Sequence, residues 1–189
     1  MQKQYPRMFI GLDLAAKDKL AIEQWREHHL KGLSGNFVPV ENFHITLSFL
    51  GQVSPNKIER LHQLLADIRA PSFKLTTTEL GYFQKPQVLY LGVDTITPLA
   101  DLARQCMSIN NYLGLPQPHS KYRPHVTLMR KHKDAMAIEA IPPNLTMSFE
   151  QFHLFESVSS GKKGMPVHYP KRMSFNLLPN INLSRQAKD

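Results

Sequence analysis

The sequence predicts an α+β protein built from antiparallel sheets with helices on the outside. Strand-like segments outnumber helical ones, and the two kinds do not alternate strictly, as a doubly wound parallel sheet would require. Two segments also repeat one pattern: His44-Ile45-Thr46-Leu47 in the first half of the chain and His125-Val126-Thr127-Leu128 in the second. Each follows a polar or proline-bearing turn and opens a strand, which hints at an internal duplication.

The elements follow from periodicity. Met8, Ile10, Leu12 and Leu14 alternate with other residues, the mark of an opening strand. Lys17 to Leu30 reads as a helix with a weak apolar stripe, ended by Gly32 and Gly35. Phe37 to Val40 and His44 to Leu50 read as strands on either side of a short connection at Glu41-Asn42. Ser54-Pro55 is a helix start, with serine as cap and proline at the first helical position. Ile58, Leu61, Leu65 and Ile68 then recur at helical spacing until Pro71. Phe73 to Leu80 and Val88 to Val93 read as strands joined through Gly81 to Gln87. Thr97-Pro98 repeats the start signal, and Leu99, Leu102, Cys106, Ile109 and Leu113 carry a second amphipathic helix. A polar loop, Pro116 to Pro124, leads into the strand His125 to Met129. The remainder reads as β, from Leu145 to Glu156 and from Arg172 to Leu177. Between them, Ser157 to His168 has the Ser, Gly and Lys content of a mobile loop. The residues from Ser184 onward are expected to fray.

The 189 residues suffice for one compact domain, or for two small lobes sharing a core. No linker composition divides them, so residues 1–189 read as a single unit. A net charge of +8 and a pI of about 9.6 attract polyanions. Charge alone does not separate a nucleic-acid partner from an ordinary basic protein. The single cysteine, Cys106, excludes an intramolecular disulfide and any metal site built on several cysteines. It suits a reducing compartment, and at an apolar helical position it reads as a packed thiol. No stretch approaches the length of a membrane span, and the polar, basic start lacks a signal-peptide core. A cytoplasmic monomer with no membrane partner is the expectation.

The repeated pattern carries chemistry. Residues two apart in a strand share a face. His44 and Thr46 therefore face together, with Ile45, Leu47 and Phe49 on the other side; His125 and Thr127 do the same, opposite Val126 and Leu128. If the two strands meet across a groove, two imidazoles and two hydroxyls converge. One neutral histidine can take a proton from a nucleophile while a protonated one gives a proton to the leaving oxygen. The hydroxyls can donate to phosphoryl oxygens as charge builds there. One His-x-Thr on a strand is commonplace and marks a solvated face; two with matching apolar neighbours are not. Zinc is the other use of such histidines, but neither motif has a carboxylate beside it or a second histidine at helical spacing. No metal and no cofactor are expected.

At this point the chain resembles the 2H phosphoesterases, and within them the RNA 2′,3′-cyclic phosphodiesterases of bacteria and archaea, also known as 2′-5′ RNA ligases. The similar segments are Arg7 to Leu12, Val40 to Gly51, Leu80 to Phe83, Tyr122 to Arg130 and Phe152 to Ser157. The resemblance implies two similar lobes, each an antiparallel sheet, around a central cleft holding both motifs. It also implies hydrolysis of an RNA 2′,3′-cyclic phosphate end to a 2′-phosphate, with weak reversible 2′-5′ joining of tRNA halves in several members. His125 would be the proton acceptor and His44 the proton donor, with Thr46 and Thr127 beside them, and Arg130 would contact the phosphate. In a regular strand Arg130 points away from His125, so that contact requires the strand to twist or to end near Met129. Its alternative is a solvated place in Arg130-Lys131-His132-Lys133. Tyr82, Phe83 and Phe152 are candidates for stacking on a base, or for packing. His119 lies near the second motif; His28, His29 and His62 read as exposed, and His153 and His168 have no evident partner. Two other functions stay open: a 2H enzyme acting on a small cyclic nucleotide such as ADP-ribose 1″,2″-cyclic phosphate, and an RNA-binding module without catalysis.

Overall fold

The computed structural model describes residues 5–117, 121–133, 140–159 and 167–180. The tail from Ser184, His119 and most of the segment read as a mobile loop lie outside them.

The chain runs β1 (Arg7–Asp13), α1 (Ala16–His29), β2 (Asn36–Phe37), a 3-10 turn (Val40–Asn42), β3 (His44–Gln52), α2 (Pro55–Ala66), β4 (Phe73–Phe83) and β5 (Val88–Val93). It continues with α3 (Thr97–Tyr112), β6 (His125–Arg130), β7 (Thr146–Phe149), β8 (Gln151–Ser157) and β9 (Lys171–Asn176). All strand pairs within the sheet are antiparallel, and their spatial order is β7-β4-β5-β6-β3-β1-β8-β9, with β2 on β6. The α+β expectation holds. In that order four strands lie on each side of one seam, β2 being added to β6, and at the seam β3 meets β6 through a single registered pair, Ile45 with Val126.

Both motif strands depart from the two-residue alternation. Opposite β1, Ile10 pairs with Ser48 and Gly11 with Thr46, so Leu47 is an extra residue in β3. Opposite β5, Leu89 pairs with Met129 and Tyr90 with Thr127, so Leu128 is an extra residue in β6. A bulge lets two successive side chains point the same way and inverts the alternation beyond it. Leu47 and Ser48 are both buried, as are Leu128 and Met129. The next residues, Phe49 and Arg130, are returned to the face that carries the histidines. The expectation that Phe49 shares the core face with Ile45 and Leu47 is thereby corrected: Phe49 is 62% exposed.

A buried polar side chain braces each bulge. Asn110 of α3 accepts a hydrogen bond from the Ser48 hydroxyl at 3.0 Å and donates to the carbonyls of Phe49 and Pro116. Arg26 of α1 donates to the carbonyls of Val38 and Leu128, at 2.6 and 3.1 Å, and ion-pairs with Glu23. The bulged Leu128 carbonyl also accepts from the Val38 N–H. A bulge frees ladder groups that would be costly to bury unpaired, and these two side chains satisfy them.

Elsewhere the differences from expectation are local. Phe37 to Val40 is a strand only at its start and turns into the 3-10 turn before the first motif. Leu145 to Glu156 is two strands, because Glu150 breaks the run so that β7 joins β4 while β8 joins β1 and β9. Ser54 stands at the cap of α2, but its hydroxyl goes to Asn56; Thr97 is inside α3, whose cap is Ile96. Cys106 is fully buried, and burial pushes its thiol pKa up, as a packed thiol requires.

Candidate active site

The seam opens into a cleft of about 830 Å³. His44, Thr46, His125 and Thr127 all line it. Continuing the Ile45–Val126 pairing outward sets His44 opposite Thr127 and Thr46 opposite His125.

The two imidazoles are held by one device. His44 Nδ1 lies 2.7 Å from the carbonyl oxygen of Asn42, and His125 Nδ1 lies 2.7 Å from that of Arg123. A carbonyl only accepts, so each Nδ1 carries the hydrogen and each Nε2 is left as the basic nitrogen. His44 Nε2 is 3.1 Å from the Thr46 hydroxyl, which donates to it. Burial lowers the His44 pKa to about 4; the Asn42 hydrogen bond and Asp13 oppose this, while Arg130 and His125 reinforce it. His125 is lowered too, first by burial and then by Arg130, against the pull of the Arg123 carbonyl. Both rings are therefore neutral at pH 7 in the free protein.

Five cationic side chains share the cleft, Arg7, Lys85, Lys121, Arg123 and Arg130, and no carboxylate lines it among the described residues. Arg130 reaches it by virtue of the Leu128 bulge; its neighbour His132 is instead buried, with Nδ1 2.7 Å from the Ser34 carbonyl. Of the run Arg130 to Lys133, Arg130 lines the cleft, His132 is buried, and Lys131 and Lys133 are exposed.

Aromatic rings wall both histidines. Phe83 and Tyr90 stack at 4.3 Å and each approaches the His125 ring at 5.1 Å. Phe9 and Tyr169 approach His44 at 4.8 and 5.2 Å. Of the three proposed stacking residues only Phe83 lines the cleft. Phe152 is corrected: it is 1% exposed and stacks on Phe175 in the core, because β8 turns it inward. Tyr82 is corrected as well: its hydroxyl donates to the His132 carbonyl and its edge meets the His132 ring, so it is a brace outside the cleft. Phe9, Phe49, Tyr169 and the cations other than Arg130 were not singled out from the sequence. A bulge has no sequence mark, and Tyr169 follows the loop whose course periodicity does not report. His153 does have a partner, the Ser174 hydroxyl at 2.8 Å, and is buried away from the cleft.

Among the described residues the cleft thus gathers two imidazoles backed by carbonyls, two hydroxyls and five cations with no carboxylate, a lining suited to an anion and to proton transfer. The model of the 2′-5′ RNA ligase superfamily matches residues 13–159, and the chain belongs to that superfamily. It is 34% identical over 154 residues to the RNA 2′,3′-cyclic phosphodiesterase of Escherichia coli (strain K12), covering 80% of this chain and 86% of that protein. It is 30% identical over 162 residues to the protein of the same name from Thermotoga maritima, again covering 80% and 86%. The crystal structure of E. coli LigT complexed with 3′-AMP superposes with a TM-score of 0.84 at 30% identity, over 91% of this chain and 98% of that one.

Proposed function

We propose that this chain is an RNA 2′,3′-cyclic phosphodiesterase that opens the terminal cyclic phosphate to a 2′-phosphomonoester. The observation that carries this reading is the pair of carbonyl-backed imidazoles, each with Nε2 as the basic nitrogen available for proton transfer, in a cleft whose charged lining among the described residues is cationic. The names of the relatives support the substrate class.

In the reaction, water adds to phosphorus and the bond from phosphorus to the 3′ oxygen breaks. His125 Nε2 takes the proton from water, and His44 gives its Nε2 proton to the departing oxygen. In-line displacement needs acid and base on opposite sides of phosphorus, which residues on two strands across a seam can supply. Thr46 and Thr127 donate to the non-bridging oxygens; for this the Thr46 hydroxyl leaves Nε2 when His44 gains its proton. Arg130 pairs with the phosphate charge. No step calls for a metal, since the imidazoles move the protons and the hydroxyls and cations carry the charge. The same steps with a 5′-hydroxyl in place of water form a 2′-5′ phosphodiester as the 3′ oxygen departs, which is 2′-5′ ligation of RNA ends, including tRNA halves. We read the strands on the two sides of the seam as two lobes of one domain, acting as a monomer.

Incubation of the protein in EDTA with an oligonucleotide ending in a 2′,3′-cyclic phosphate, followed by mapping of the product, tests this. A 2′-phosphate formed at an undiminished rate is expected. Loss of turnover restored by zinc or manganese would overturn the mechanism, and a 3′-phosphate product would overturn the bond assignment.

A further inference from the structure

Beside the cleft lies a second hollow of about 270 Å³, lined by Glu79, Tyr90, Val93, Thr95, Lys121, Tyr122, Arg123 and Pro124. Two of these, Lys121 and Arg123, also line the cleft, so the hollows meet across a pair of cations. Neither cation has an ion pair among the described residues, and both are exposed. The floor is aromatic on one side, where Tyr90 also touches the His125 ring. The lining also carries an exposed carboxylate, Glu79, which accepts a hydrogen bond from the Thr78 hydroxyl and lies over Gly92, where a side chain would displace it.

We propose that this hollow is a subsite for the nucleotide immediately 5′ of the cyclic-phosphate end. This rests on the cleft being the seat of that end. Lys121 and Arg123 then take the phosphate that joins the two nucleotides, at the junction of the hollows. The 5′ base enters the hollow against Tyr90, and Glu79 accepts hydrogen bonds from its edge. A carboxylate accepts and does not donate, so it favours a base presenting adjacent N–H donors, and guanine offers N1–H with the N2 amine while uracil offers one N–H. The segment that holds this nucleotide is also the one whose Arg123 carbonyl orients His125.

The test compares three substrates: adenosine 2′,3′-cyclic phosphate, and the dinucleotides GpA and UpA ending in the same group. In the wild-type protein kcat/KM should rise by about tenfold or more from mononucleotide to GpA, the size of one nucleotide's stacking and charge contacts, and by less to UpA. Thr95 lines the hollow and not the cleft, so Thr95→Trp, which fills the hollow, should remove that rise while leaving the mononucleotide rate within about twofold. Glu79→Gln should level GpA with UpA. A dinucleotide advantage missing from the wild type, or untouched by Thr95→Trp, would overturn the subsite. If none of the three is turned over, the proposed reaction falls instead, and the hollow is then decided by binding of the uncyclised dinucleotides, which Thr95→Trp must weaken.

Discussion

At the scale of single residues, the two histidines differ in environment although their motifs match. His44 is held at a pKa of about 4 by burial, with Arg130 and His125 adding to the effect. With that value His44 is nearly all deprotonated at pH 7, so in the proposed role of proton donor it is not yet charged in the free protein. An anionic phosphate beside the ring offsets the cations and raises its pKa, so substrate supplies the condition for its own protonation. Since kcat/KM reports the free enzyme and kcat the complex, the alkaline limb of kcat should lie at higher pH than that of kcat/KM. Coincident limbs would exclude substrate-driven protonation of His44. The direction of proton flow is tested by a substrate with sulfur as the leaving atom, which needs little protonation. It should rescue His44→Ala and not His125→Ala, and the opposite result would exchange the roles. Thr46→Val and Thr127→Val each remove a donor and keep the shape, and each should slow turnover on the order of a hundredfold. Full activity in both would remove the threonines from the mechanism.

At the scale of elements, the motif strands work because they are irregular. The residues of each His-x-Thr-x motif, the flanking strands and both amphipathic helices were legible from two-residue and helical periodicity. Arg130 and Phe49 were not, because a bulge shows only when a strand is paired with its neighbour. The same limit explains Phe152, whose inward face is set by β1 and β9 rather than by its own strand. Phe83 was legible as a candidate, but its place beside His125 depends on Tyr90 and on Gly81, where an added Cβ would lie 2.2 Å from the Tyr90 ring. Gly81→Ala should therefore shift Tyr90 and lower turnover through His125. Asn110 is the sharper test of the bulge. Asn110→Leu removes the hydrogen bonds of Asn110 to the Ser48 hydroxyl and to the carbonyls of Phe49 and Pro116, and each group left unsatisfied costs about 1–3 kcal/mol. Denaturant unfolding should register the loss, and the surviving folded fraction should show reduced kcat because Phe49 and Thr46 share the disturbed stretch. An unchanged midpoint would mean that Asn110 does not brace the bulge.

At the scale of the whole molecule, the fold stores neutral histidines and uncompensated cations, and both are paid for in acid. His44 and His153 are each lowered to about 4, by burial first in both cases, while an unfolded histidine titrates near 6.5. Between those values the unfolded chain binds more protons than the folded one, so this part of the stability is present above about pH 6.5 and is lost as pH falls toward 4. The melting temperature should therefore fall steadily across that window. The two histidines are separable, since only His44 lies in the cleft. Sulfate stays fully charged throughout this range and should bind among Arg130, Arg123 and a protonated His44. Its stabilising effect follows its affinity for the folded state, so it should grow as pH is lowered from 7.5 to 5. His44→Gln should reduce that growth to what His125 supplies and leave the acid loss due to His153. His153→Gln should reduce the acid loss and leave the response to sulfate intact. If sulfate stabilises equally at both pH values in the wild-type protein, the cationic cleft does not govern the charge on His44, and the protonation step that the reaction depends on would need another source.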